Sequence, residues 1–76
     1  MQTPLTLNEA KNLKYGEHIY HMTKTNTTGK IRVKINGAPK IWKRTPSRVQ
    51  IPVKYGLYEY FYITESELNE WSKTED

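Results

Sequence analysis

Residues 30 to 43 read KIRVKINGAPKIWK, and the way this stretch pairs decides the fold. Ile31, Val33 and Ile35 alternate with Lys30, Arg32 and Lys34. Successive side chains of a strand point to opposite faces, so the run predicts a strand with one apolar and one cationic face. Asn36-Gly37 follows, the pair that best tolerates the two positive φ angles of a type I′ turn, and a tight hairpin is expected there. Pro39 has no N–H to give to a ladder and is expected at an edge or a bulge.

The register beyond that turn sets the surroundings of Trp42. A plain two-residue hairpin puts Trp42 opposite Ile31 in the core and leaves Ile41 opposite Arg32. A bulge at Ala38-Pro39 moves the register by one residue. Ile41 then joins Val33 in the core, and Trp42 lies beside Arg32 on the cationic face. The bulge suits Pro39 and removes a misplaced isoleucine, whereas a tryptophan in so small a domain is more often buried. Both registers stand at this point.

Working outward, RVQIPVKY (48–55) repeats the alternation, with Val49, Ile51, Val53 and Tyr55 inward and Arg48, Gln50, Pro52 and Lys54 outward. Thr45-Pro46-Ser47 before it is expected to turn. Gly56 leads into LYEYFYI (57–63), with Leu57, Phe61 and Ile63 on one face and Tyr58, Tyr60 and Tyr62 on the other. Upstream, EHIYHM (17–22) reads as a strand and TKTNTTG (23–29) as a polar loop. Thr6-x-x-Glu9 and Thr64-x-x-Glu67 have the form of capping boxes. They predict short helices over about 7–13 and 65–72, the second with Leu68 and Trp71 on one side.

A chain of 76 residues is one domain, with its strand-rich part over 17–63. Short alternating strands punctuated by Gly and Pro favour a small SH3-like antiparallel barrel of about five strands, flanked by the two helices. A five-stranded OB-like barrel is the alternative. There is no cysteine, so neither disulfides nor thiolate metal sites can brace the core. The polar amino end lacks the apolar run of a secretory signal, and no stretch is long and apolar enough for a membrane span. A cytoplasmic setting is expected.

LKYGEHIYH (13–21) resembles the first strand of KOW- and Tudor-type SH3-like domains. The run from Val33 to Thr64 is similar to small basic proteins encoded by tailed bacteriophages and prophages. That likeness covers a little under half of the chain. It implies a small accessory protein in a host-cell cytosol and supplies no binding residues, so any site must be argued from the side chains.

Charge is the strongest functional signal. Between Glu17 and Glu59 there is no acidic residue, while Lys24, Lys30, Arg32, Lys34, Lys40, Lys43, Arg44, Arg48 and Lys54 fall in that interval. The tail reverses the sign, with Glu59, Glu65, Glu67, Glu70, Glu75 and Asp76 against Lys73. A basic middle closed by an acidic end points to a polyanionic partner. Cations at period two on neighbouring strands form a patch, and phosphate contacts need only point charges and forked donors.

The expected nucleic-acid surface is Lys30, Arg32, Lys34, Lys40, Trp42, Lys43, Arg44, Arg48 and Lys54. DNA or RNA is the favoured partner, and a host protein with an acidic surface is the alternative. Tyr58, Tyr60 and Tyr62 are a candidate interface, either covering a thin core with wet hydroxyls or joining copies of the chain. His18 and His21 fall on opposite faces of a strand, so metal binding is not expected. No Ser/His/Asp set, carboxylate pair or phosphate-cradling glycine loop can be assembled. A non-enzymatic protein without a cofactor is expected.

Overall fold

A computed structural model describes residues 2–27 and 29–75. The chain is mainly β. One antiparallel sheet of six strands carries helix α1 (Leu7–Lys11) and a 3-10 helix (Glu65–Glu70) at its ends. The strands are β1 (His18–Asn26), β2 (Gly29–Ile35), β3 (Lys40–Trp42), β4 (Thr45–Tyr55), β5 (Glu59–Thr64) and β6 (Trp71–Ser72). The order β3-β4-β2-β1-β6, with β5 on the other edge of β4, leaves the sheet unclosed.

The alternating sequence builds the core directly. Val33 and Ile35 of β2, Val49, Ile51 and Val53 of β4, Ile19 of β1 and Ile63 of β5 are buried on the inner face. Leu5, Ala10, Leu13, Leu68 and Trp71 close it from the chain ends. α1 starts as its capping box requires. Thr6 Oγ1 accepts the Glu9 N–H at 3.1 Å, and Glu9 Oε1 accepts the Thr6 N–H at 2.9 Å.

The expected hairpin at Asn36-Gly37 does not form. Ile35 pairs with Val53 and Lys40 with Gln50, so β2 and β3 lie one after the other along the same edge of β4. Four residues, Asn36 to Pro39, stand opposite two, Ile51 and Pro52. This is a bulge, with the Asn36 N–H donating to the Pro52 carbonyl at 2.8 Å. Gly37 does not take a positive φ, which a type I′ turn requires of it. Pairing both strands with the apolar stripe of β4 outweighs the local turn preference of Asn-Gly. Both prolines fit the outcome, Pro39 inside the bulge and Pro52 facing it.

The turn falls instead at Lys43-Arg44, where Trp42 pairs with Thr45. Thr45, Pro46 and Ser47, expected to turn, therefore open β4. The register then slips by three residues before Ile41 pairs with Val49. The inserted residues, Pro46 to Arg48, bend the strand beside Trp42.

Two further expectations are corrected. The segment Thr23–Asn26 is strand rather than loop, paired with β2 through Thr25↔Lys30 and Asn26↔Gly29. Thr28, the last residue of the loop's Asn-x-Thr sequence, lies outside the described residues. The second capping box does not form either, since the Thr64 side chain makes no cap hydrogen bond. A 3-10 helix of six residues follows, and Trp71 leaves it to join β6. There His21↔Trp71 and Tyr20↔Ser72 fasten the last strand to the first, and the Leu5 N–H donates to the Trp71 carbonyl at 2.9 Å.

Candidate nucleic-acid interface

The outer face of the sheet collects side chains from four strands in one row. His18 pairs with Lys34, Lys34 with Lys54, and Lys54 with Tyr60. Beside the row lie Tyr20↔Arg32 on one flank and Pro52↔Tyr62 on the other. His18, Arg32, Lys34, Lys54, Gly56 and Leu57 line a shallow depression on this face. Like charges directly opposed across strands cost stability, so the Lys34↔Lys54 pair is not placed there by folding energetics.

Aromatic rings attend several of these cations. Lys34 Nζ lies 5.1 Å from the centre of the Tyr15 ring, and Lys54 Nζ lies 5.6 Å from that of Tyr60. Trp42 receives two cations, with Lys40 Nζ at 5.0 Å and the Arg48 guanidinium at 4.1 Å. Such contacts contribute about 0.5–1 kcal/mol at exposed sites and leave the positive charge in place. Among the described residues the one ion pair is His21 with Glu70, although the Arg48 charge reaches Glu65 and Arg32 lines a pocket with Glu75.

Neither register expected for Trp42 matches in full. Trp42 is half-buried on the outer face with Lys40 and Arg48, as a cationic setting requires, but Arg32 is not its neighbour across the strand. Ile41 points inward opposite Val49 yet stays 46% exposed, because β3 lies on the rim where little covers it. The bulge of two extra residues preserves the alternation along β2 and β3, which is why Trp42 keeps the face of Lys34.

The other expected residues divide. Arg32, Lys34 and Lys54 converge on the depression, Lys40 and Arg48 flank Trp42, and Lys43 and Arg44 form the exposed hairpin tip. Lys30 does not join them. Its ammonium donates to the Met22 carbonyl at 2.6 Å and to the Gln2 side chain, so it secures the β1–β2 end. Two residues escaped the sequence reading. His18 shares the face through its pairing with Lys34, which strand parity could have indicated. Tyr15 precedes a turn at Gly16, where no periodicity assigns a side chain to a face.

Tyr60 and Tyr62 lie on this same outer face, at 60% and 59% exposure, so the tyrosine stripe and the basic patch are one surface. Tyr58 stands apart in the β4–β5 turn. At the far end, just past the last β4–β5 pair, the Val49 N–H donates to Glu65 Oε1 at 3.0 Å. That bond, with a second from Glu65's own N–H, holds the Glu65 carboxyl below its ordinary value.

The histidines separate as expected. His18 is outside, while His21 is buried edge-on to Trp71 at 5.0 Å. His21 Nδ1 accepts the Lys24 N–H at 3.0 Å, which leaves Nε2 to carry the proton toward Glu70 Oε1 at 3.3 Å. Among the described residues no group of three His, Asp or Glu side chains could hold a metal ion, and no helix is long and apolar enough to cross a membrane.

No family model, curated protein or solved structure matches the chain.

Proposed function

We propose that the protein is a small non-enzymatic accessory protein that holds nucleic acid on the outer face of its sheet, largely without regard to sequence. The carrying observation is a face of cations that, among the described residues, form no ion pair with a carboxylate, set among exposed aromatic rings. Phosphates fit such a surface because ammonium and guanidinium groups can exchange their water and counterions for phosphate oxygens. An SH3-like barrel is the finer architecture in this reading. It is supported by the meander of β1, β2 and β4 onto β5 and by the return of β6 beside β1. The phage or prophage setting, with a cytoplasmic location, rests on the likeness of the sequence from Val33 to Thr64.

Anisotropy titration of labelled DNA and RNA oligonucleotides at low salt tests the reading. Saturable binding that weakens steeply with added salt is expected, and absence of binding to either polymer overturns it. A second reading is docking on a host protein or on another copy of the chain. It is favoured by Leu57 and Tyr58, which stand 74% and 88% exposed at the β4–β5 turn. Pulldown from nuclease-treated host lysate and light scattering distinguish these, since a protein partner survives nuclease and self-assembly raises the mass.

A further inference from the structure

The outer face carries more exposed aromatic surface than phosphate binding uses. Tyr60, although Lys54 lies over it, is 60% exposed; Tyr62 is 59% exposed and Tyr15 68%. A duplex presents sugar and phosphate outward and keeps its base faces stacked inside, so these rings would meet nothing they can stack on. In a single strand every base offers a π-face, and base–aromatic stacking tolerates any sequence. The surface is thus matched to the polymer that shows phosphates and base faces together.

The secondary structure points the same way. Reading a duplex from its major groove takes a helix or a two-stranded ribbon that enters it. Among the described residues α1 has five residues, and the 3-10 helix carries Glu65, Glu67 and Glu70. The β3–β4 ribbon is only three residues long on its β3 side. The longer β1–β2 ribbon has Lys30 at its end tied to the Met22 carbonyl, and the β4–β5 ribbon ends in the uncharged Leu57 and Tyr58. A sheet face lying open to solvent can instead support a strand laid across it.

The length is adequate. From Lys54 to Arg48 is six residues along β4, about 20 Å at a strand's rise, before allowance for the bend near Trp42. That is room for about four nucleotides, the lower end of the site sizes of single-strand-binding domains.

We infer that the ligand class of this face is single-stranded nucleic acid, its phosphates on Arg32, Lys34 and Lys54 and its bases on Tyr60, Tyr62 and the Trp42–Arg48 stack. The inference rests on the nucleic-acid reading above. Its test compares three labelled probes of equal phosphate number at one low salt concentration: an oligothymidylate, a fully abasic strand and a duplex. The oligothymidylate should bind more tightly than either of the others by over about fivefold. If the duplex or the abasic strand comes within that factor, the inference fails while the nucleic-acid reading survives. If no probe binds, the reading itself fails and takes the inference with it. Tyr60→Ala gives a second check, because the side chain is exposed and its loss should leave the fold intact. It should weaken oligothymidylate binding by about tenfold and leave duplex binding unchanged, whereas equal losses on both probes would overturn the stacking role.

Discussion

Trp71→Ala tests whether one buried residue fastens the two chain ends to the sheet. The indole is 5% exposed, stands edge-on to His21 at 5.0 Å and tilts against Phe61 at 6.4 Å. Its backbone pairs with His21 and receives the Leu5 N–H, so one residue joins the first strand, the last strand and the amino end. Removing a buried tryptophan side chain costs about 3–5 kcal/mol. A domain of 76 residues has about 4–11 kcal/mol in total at the usual stability per residue. The alanine variant should therefore lose between about a quarter and all of its stability. Trp71→Phe keeps a ring and should cost about 1–2 kcal/mol. Urea unfolding followed by circular dichroism measures both. With a slope of about 1 kcal/mol per molar, the phenylalanine midpoint should fall by about 1–2 M. Oligonucleotide affinity of the folded phenylalanine variant should not change, since Trp71 lies under the sheet. An alanine variant whose midpoint moves by less than about 0.5 M would refute the packing of Trp71 and the fastening of β6 to β1.

Gly37→Ala should be tolerated within about 0.5 kcal/mol, because Gly37 has no positive φ and the new Cβ would sit 3.4 Å from Pro52 Cγ. A type I′ hairpin at that position would make the same change cost more than about 1 kcal/mol, so thermal melts of this variant discriminate the two registers. Gly56→Ala, at φ +68°, should show that larger cost and serve as the comparison. Acid should destabilise the fold through Glu9 and Glu65. The Thr6 N–H holds Glu9, and the Val49 N–H holds Glu65, below the ordinary value of 4.5. Their stabilisation is complete above 4.5 and disappears as pH falls through the lowered native values. Glu65→Gln should flatten the acid side of a plot of Tm against pH, and a slope unchanged by the substitution would contradict the Val49 contact.

Much of the fold could be read from residue alternation. β2 and β4 announce their buried faces because Val33, Ile35, Val49, Ile51 and Val53 recur at period two. Thr6 and Glu9 announce the start of α1. The errors share one physical cause, which is that local preference was outweighed by pairing distant in sequence. Asn36-Gly37 suits a tight turn, yet carrying Ile35 past it to Val53, and Ile41 to Val49, requires extended chain and a bulge. Lys43-Arg44, with no glycine, asparagine or proline, makes the turn because the flanking strands bring it there. Trp71 has helical spacing from Leu68, but its place beside His21 is decided by residues fifty positions upstream.

The candidate site was legible in composition and not in shape. The acid-free interval names most of the cations, but only the β4–β5 pairing of Lys54 with Tyr60 reveals that the tyrosines share their face. Lys30 alternates with its neighbours like any other member of the patch. Its ammonium is nevertheless taken by the Met22 carbonyl, a contact across the irregular end of β1 that alternation does not encode.

The slope of oligonucleotide affinity against salt is the most direct test that the outer face binds through phosphates. Three contacts by Arg32, Lys34 and Lys54 should give a log–log slope of about −2 on a single strand. Lys54→Ala should make that slope shallower by about 0.7, while Lys30→Ala should leave it unchanged. Affinity that does not respond to salt, or equal slope losses from the two variants, would contradict the assignment of this face.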